Sequence, residues 1–208
     1  MSRFRPLSAT AFAALVVLGA CSTSAPPTRL HSLMPSEPTP REPGAAGRVP
    51  VFVSLEPIRL PAQVDQPQWL VRLPDDSLAS LEQERWASSL RDELRQALLE
   101  QLGARFGVVD GRSVIPQAAA PVRVALELRR FDSIPGREAR IEAAWTVVGG
   151  AAAAIRCSVL LSEPAQGGMA ELAAAHRRAV ARLAVAIGAS LVAVPPASLP
   201  GCPPGEQK

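Results

Sequence analysis

Apolar residues alternate with polar ones in several stretches of the chain, which is the pattern of a half-buried β-strand. The pattern predicts strands over residues 49–55, 68–73, 122–129, 139–147 and 155–161. Residues 131–136 contain Pro135 and Gly136 and predict the turn that joins the third of these strands to the fourth. Each predicted strand has a single apolar face, so one side of the sheet needs a cover.

A repeat of four residues predicts two helices that supply this cover. The first helix carries its apolar stripe at Trp86, Leu90, Leu94, Leu98 and Leu102. Ser80 and Gln83 offer a capping box near its start, and Gly103 suits the position just past its end. The second helix is expected over residues 169–194. These elements predict an α/β (α+β) fold, a two-layer sandwich with a mostly antiparallel sheet of about five or six strands under two helices.

The N-terminal residues have the form of an export signal. Arg3 and Arg5 precede an apolar run at residues 9–18, which is too short to span a bilayer because a spanning helix needs about 20 residues. The run closes on Leu18-Gly19-Ala20-Cys21, which resembles the lipobox of bacterial lipoproteins. The resemblance implies that residues 1–20 are cleaved as a signal peptide and that Cys21 carries acyl chains such as palmitate, which anchor the protein firmly.

The residue after the lipobox cysteine bears on the destination. Position 22 is Ser and not Asp, which in the sorting rule of this lipoprotein class resembles a passenger of the outer membrane, on its periplasmic face. The alternative is an unlipidated signal peptide in which Cys21 is incidental.

Proline content predicts where the folded domain begins and ends. Residues 22–50 contain seven prolines and little to bury, so residues 21–48 are expected to form a lipidated cysteine followed by an extended tether in which His31 is solvated. Residues 195–208 form a second proline-rich segment, a tail. The region between them, residues 49–194, has the length of one globular domain.

Composition excludes several classes of function. The chain has 22 Lys and Arg against 19 Asp and Glu, only 4% aromatic residues and no tyrosine, so a basic, aromatic nucleic-acid surface is not expected. Two histidines and three cysteines leave little for a metal site, and no cofactor motif is present. His176 lies on the apolar stripe of the second helix and is expected to be a core or interface residue. No nucleophile and base are recognisable, so we predict that the protein is not an enzyme.

Two cysteines remain once Cys21 is lipidated. In an oxidising periplasm, Cys157 and Cys202 could pair in a disulfide. Cys157, however, falls on the strand face that should lie under a helix, so free thiols remain the alternative.

Several short segments, taken in order, resemble the PqiC (YmbA) family of auxiliary lipoproteins of ABC-type transport systems. The segments are Leu60-Pro61-Ala62, Asp65-Gln66-Pro67-Gln68, Arg85-Trp86 with the leucine-rich helix, Phe131-Asp132, Pro135-Gly136, Ala144-Trp145 and the last, alanine-rich helix. The resemblance spans about residues 28–194.

The resemblance implies a non-catalytic outer-membrane lipoprotein that supports envelope integrity. It would dock an MCE-domain channel protein, which with an inner-membrane partner carries lipid across the periplasm, and it would act as a homo-oligomeric ring. A candidate interface is the loop with Leu60, Pro61, Asp65 and Pro67, with Trp69 as an aromatic anchor. Trp69 packed in the core is the alternative. At the level of function, the alternatives are a periplasmic lipid-binding carrier with a cavity between sheet and helices, and a lipid-tethered enzyme.

Overall fold

The structure is a computed structural model that describes residues 26–44, 49–112, 121–149, 154–192 and 202. The predicted signal peptide, Cys21 and the tail apart from Cys202 lie outside the described residues. The elements are β1 (Arg29–His31), β2 (Val51–Leu55), β3 (Gln68–Arg72), β4 (Leu78–Trp86), α1 (Leu90–Phe106), β5 (Val108–Asp110), β6 (Val122–Ile134), β7 (Glu138–Val148), β8 (Ile155–Pro164) and α2 (Met169–Val192), with a short 3-10 helix at Ala62–Val64.

The larger sheet has five strands in the order β5-β2-β6-β7-β8. Strands β6, β7 and β8 form an antiparallel meander, and β2 pairs parallel with both β5 and β6. Along β7, the residues from Ala139 to Val147 alternate between buried and half-buried, as the sequence pattern predicts. The buried residues face the two helices, which pack on this side of the sheet and on each other.

The predicted α+β sandwich is therefore confirmed, with two helices over one face of a sheet in which two of the four strand pairings are antiparallel and two are parallel. The parallel pairing of β2 was not predicted, because strand direction depends on the path of the connection and leaves no mark in the alternation itself.

A second sheet of three strands, in the order β1-β4-β3, was not predicted. Strand β4 occupies residues that the sequence analysis assigned to the start of the first helix, so the expected capping box at Ser80 and Gln83 is wrong. In β4, Ala79 pairs with Val71 of β3 and Leu81 pairs with Trp69. These two apolar residues of β4 share one face of the strand, and their pairing with β3 favours a strand over a helix here.

Helix α1 begins at Leu90, well after the expected cap at Ser80, and ends at Phe106, four residues after the expected last residue Leu102. Its N-cap is Ser89, whose hydroxyl accepts a hydrogen bond from the Asp92 amide at 3.1 Å. Gly107, with φ of 67°, ends the helix in the left-handed conformation, and Gly103 lies within the last turns. The expected end at Gly103 was wrong because a single glycine does not stop a helix that is packed on its neighbours.

Part of the expected tether packs on the domain. We call residues 32–42 the strap, because they follow β1 and run along α1. The buried carboxylate of Glu93 accepts hydrogen bonds from Ser32 Oγ at 2.7 Å and from the Leu33 amide at 2.8 Å. Further along, the Thr39 amide donates to Glu100 of α1 at 3.1 Å. Leu33 is only 2% exposed, so the domain core includes residues that precede position 49.

His31 also differs from the expectation that it is solvated. It lies in β1, and its Nε2 is 2.5 Å from the Glu84 carboxylate of β4. Its ring meets that of Trp69 edge-on, with 4.8 Å between centroids. Proline content suggested a tether here, but a strand of three residues is too short to give a periodic signal.

Candidate docking surface

The loop that the sequence analysis selected forms a rigid projection at one end of the three-stranded sheet. We call residues 60–67 the proline loop, after Pro61 and Pro67. The 3-10 turn at Ala62–Val64 closes with a hydrogen bond from the Val64 amide to the Pro61 carbonyl at 3.1 Å. Val64 is buried beneath the turn, whereas Asp65 and Pro67 are exposed.

Arg91, in the first turn of α1, holds the proline loop from below. Its Nη2 donates to Asp65 Oδ2 at 2.7 Å, and its Nη1 donates to the carbonyl of Ile58. One guanidinium therefore connects α1 to both the entry and the middle of the loop. Sequence analysis missed Arg91, because 26 residues separate it from Asp65 and nothing in the local pattern connects them.

The structure places the five candidate interface residues in two different settings. Leu60 is partly buried against the core and Pro61 is half-buried, while Asp65 and Pro67 reach solvent. Trp69, at 1% exposure, is a core residue. Its role as an exposed anchor is therefore ruled out in this conformation, and the core alternative describes its position.

Trp69 is buried because β3 turns it inward, onto the end of β6. Its indole Nε1 donates to Ser133 Oγ at 2.7 Å, which satisfies the polar atom of the ring. Its ring packs against that of Trp86, with 4.3 Å between centroids. The proline loop thus leads directly into β3, and the Trp69 side chain of β3 joins the small sheet to the large one.

His176 of α2 lies at the centre of the same aromatic cluster. Its Nε2 is 2.8 Å from Ser133 Oγ, and its ring stacks on that of Phe131 at 4.1 Å. Complete burial lowers the pKa of His176 to about 3, because the charged imidazolium would lose its hydration. His176 is thus neutral at physiological pH and belongs to the core, as its place on the apolar stripe predicted.

The structure brings Cys157 of β8 next to Cys202 of the tail. Their two sulfur atoms form a disulfide bond in the structure, and the two Cα atoms are 5.4 Å apart. Cys157 is also on the buried face, as the alternation predicted, and Ser190 Oγ of α2 lies 3.8 Å from its sulfur. Both features of the sequence analysis thus coexist, and the oxidation state of the pair in the cell stays a prediction.

Two kinds of feature are absent from the described residues. No group of three or more His, Cys, Asp or Glu side chains within them is arranged to hold a metal ion. Among their helices, none is long and apolar enough to cross a membrane. A rigid loop with exposed proline and carboxylate groups, on a closely packed α+β domain, is suited to contact a protein partner without itself rearranging.

Known proteins with the same sequence pattern and fold place this domain in a family. The family model described as an ABC-type transport auxiliary lipoprotein component matches residues 31–188. The chain belongs to this family, in agreement with the resemblance to PqiC (YmbA) proteins. It is a family of transport auxiliary components and not one of enzymes.

Two crystal structures share the fold. An uncharacterized protein superposes with a TM-score of 0.62 at 14% identity, over 78% of this chain and 97% of its own. A protein of Xanthomonas campestris from the family DUF330 superposes with a TM-score of 0.59 at 18% identity, over 79% of this chain and 95% of its own. No curated protein matches the sequence.

Proposed function

We propose that this chain is a non-catalytic lipoprotein of the outer membrane, anchored through Cys21, that docks an MCE-domain channel protein of an ABC-linked lipid transport system. The proposal goes beyond the family, which supports a lipoprotein that assists ABC-type transport. The observation that carries the docking role is the proline loop, which Arg91 holds in one conformation while Asp65 and Pro67 remain exposed.

A preformed loop is favourable for docking because little conformational entropy is lost when it binds. The backbone of the proline loop is already ordered by its 3-10 turn and by two prolines. Asp65 offers a carboxylate that is 42% exposed although it is paired with Arg91. A partner with a basic group beside an apolar patch fits this combination of Asp65 with Pro61 and Pro67.

Several copies of the domain around one channel end would multiply a weak contact. Each copy is held to the same membrane, so binding of one loop raises the effective concentration of the next. We therefore propose that the protein works as a homo-oligomer, which also agrees with the modest size of a single loop as an interface.

The carrier alternative receives no support from the packing of α2. Ala173 and Ala184, which could have left room for a lipid, are buried in contact with their neighbours. A Cβ added to Gly188 would lie 2.2 Å from the ring of Phe106. The small residues of α2 thus allow close approach of the two helices. Phospholipid that co-purifies with the unlipidated domain in a fixed ratio would nevertheless revive the carrier function.

The experiment is cross-linking of the full lipoprotein in intact cells, followed by mass spectrometry. The expected partner is an MCE-domain protein, and the Cys21→Ala variant should lose or reduce the adduct. Asp65→Arg should lower the adduct about tenfold, because it reverses the exposed charge and repels Arg91, whereas loss of this surface ion pair alone costs at most about 1 kcal/mol of stability.

The matched control is Glu82→Arg, which makes the same charge change on the exposed part of β4. It should leave the adduct unchanged. Equal loss in both variants, or recovery only of the protein itself, would contradict docking through the proline loop.

A further inference from the structure

The direction of β1 determines which end of the domain lies nearest the lipid anchor. Strand β1 runs parallel to β4, with Arg29 opposite Glu84 and His31 opposite Trp86. Tracing the chain backwards from Arg29 therefore leads along β4 towards Leu78. Thr28 already follows this path, because its hydroxyl lies 3.3 Å from the side-chain oxygen of Gln83, one position earlier in β4.

Chain length then limits how far the anchor can lie from this end. Cys21 precedes Arg29 by eight residues, which can span at most about 29 Å. Leu78 precedes Glu84 by six residues of strand, or about 20 Å. Even at full extension in this direction, the segment that joins Cys21 to Arg29 would end no more than about 10 Å beyond the level of Leu78. Packing of the strap removes the longer reach that a free tether would allow.

The turn between β3 and β4 lies at this end, and we call residues 73–78 the hairpin tip. Leu73 and Leu78 are 38% and 44% exposed, two of the six exposed large apolar side chains among the described residues, and exposed Pro74 lies between them. The Leu73 amide donates to the Ser77 carbonyl at 2.9 Å, and Asp75 Oδ1 accepts from the Ser77 amide at 3.0 Å. The tip is a rigid turn with an apolar edge.

We propose that the hairpin tip rests in the surface of the membrane that carries the anchor, with Leu73, Pro74 and Leu78 entering the lipid. The inference rests on the lipidation of Cys21 in the proposed function. The lipid surface that fits is zwitterionic, since Asp75 and Asp76 would be repelled by an anionic one. Two leucines give weak binding alone, but the anchor keeps them continuously at the surface.

This orientation places the proline loop at the end of β3 that lies away from the membrane. Strand β3 begins directly after the proline loop and ends at the hairpin tip, about 17 Å away for five residues of strand. With the tip in the membrane, the proline loop points into the periplasm. A partner that arrives from the other membrane would meet this side first.

The experiment uses the full lipidated protein in phosphatidylcholine vesicles with chain-brominated lipids, which quench tryptophan fluorescence on contact. Leu78→Trp introduces a reporter at the tip. The matched control is Leu160→Trp, on the exposed side of β8, because Leu160 is equally exposed at 43%. The native Trp69, Trp86 and Trp145 are buried and supply a constant background.

The expected result is at least about threefold stronger quenching of the added tryptophan at position 78 than at position 160. Anionic lipid should reduce the quenching at position 78, and Asp76→Asn should restore part of it, since asparagine tolerates the left-handed backbone at this position. Equal quenching at the two positions would overturn the proposal.

Flotation of the same vesicles separates this result from a failure of the anchor. Protein that floats without quenching at position 78 would refute membrane contact by the tip and leave anchoring intact. Protein that does not float, like the Cys21→Ser control, would refute the anchor and with it the orientation. A photo-cross-linker at position 78 in cells should give lipid adducts, and adducts with a protein or with a second copy of this chain would overturn the proposal.

Discussion

In the five-stranded sheet, β6, β7 and β8 present continuous apolar faces to α1 and α2, whereas the three-stranded sheet touches the core through a few large rings. Trp69, Val71 and Trp86 are the buried core residues of its strands, and beyond Val71 the ribbon of β3 and β4 extends to a tip whose leucines are exposed. The larger sheet therefore behaves as a support and the smaller as an arm attached to it. In our proposals both the partner and the membrane bind the arm, so its attachment should matter more than its own stability.

The attachment of the arm is tested most strongly at Trp69. Trp69→Ala should lower the free energy of unfolding by about 3–5 kcal/mol, because a large buried ring is replaced by a cavity between the two sheets. Denaturant unfolding measures the loss. Trp69→Phe is the matched control, since it keeps most of the apolar volume but loses the hydrogen bond to Ser133, and should cost about 1–2 kcal/mol.

A loss below about 1 kcal/mol in Trp69→Ala would mean that the arm is held by other contacts. Hydrogen exchange would then be expected to protect β3 and β4 as well in the variant as in the native chain. Weak protection confined to these two strands would instead support the view of a separately attached arm.

Within the larger sheet, removal of the cysteine pair should have the largest effect on the free energy of unfolding. A disulfide between Cys157 and Cys202 closes a loop of 45 residues, which corresponds to a stabilisation of about 2–4 kcal/mol. Replacing both cysteines by serine should lower the free energy of unfolding by that amount. Reductant should lower the stability of the native chain but not that of the double variant.

Non-reducing peptide mapping decides whether the bond exists in protein isolated from cells. Two free thiols there would refute the pairing. If the bond is present, its loss should affect protection of β8, which carries Cys157, and leave the hairpin of β3 and β4 unchanged. This difference would sharpen the contrast between support and arm.

A change of pH should have a smaller effect on stability, through His176 at the place where the two sheets meet. The pKa of His176 is about 3 in the folded protein and near 6.5 in the unfolded chain, because burial disfavours the charged ring. Below pH 6.5 the unfolded state gains a proton that the folded state does not, so stability falls as the pH decreases towards 3. Between pH 7.5 and 5 the loss should be about 2 kcal/mol.

The control is His176→Gln, which removes the titrating ring and keeps a polar group near Ser133. Its stability at pH 7.5 will be lower, but the difference between its stabilities at pH 7.5 and 5 should be about 2 kcal/mol smaller than in the native chain. Equal pH dependence in the two proteins would show that His176 is hydrated in the fold.

The support could be predicted from the sequence to a much greater extent than the arm. The alternation in β7 and β8 and the leucine repeat of α1 arise because each element buries one face, which gives the sequence a periodic hydrophobic pattern. Strand β1 has only three residues, and β4 contains Glu82, Glu84 and Arg85 in a context that also suits a helix. Their strand structure depends on pairing with distant residues, which local preference does not reveal.

The candidate surface was predictable in its position but not in its construction. Family resemblance pointed to Leu60, Pro61, Asp65 and Pro67, yet neither the role of Arg91 nor the inward direction of Trp69 followed from it. The ion pair of Asp65 with Arg91 and the bond of Trp69 with Ser133 both join segments that lie far apart in the sequence. Such contacts are set by the tertiary fold.

The parallel pairing of β1 with β4 has a mechanical consequence. A pull on Cys21 enters the domain at Arg29 and acts along the axis of β1, while the hydrogen bonds to β4 lie across that axis. The bonds of the strand are thus loaded together, in shear, and do not open one after another as in a zipper. The close contact of His31 with Glu84 and the hydrogen bonds of Ser32 and Leu33 with Glu93 come next in the line of force. In the arrangement that we propose, a short strand at the edge of a sheet transmits tension between the membrane and the docked partner.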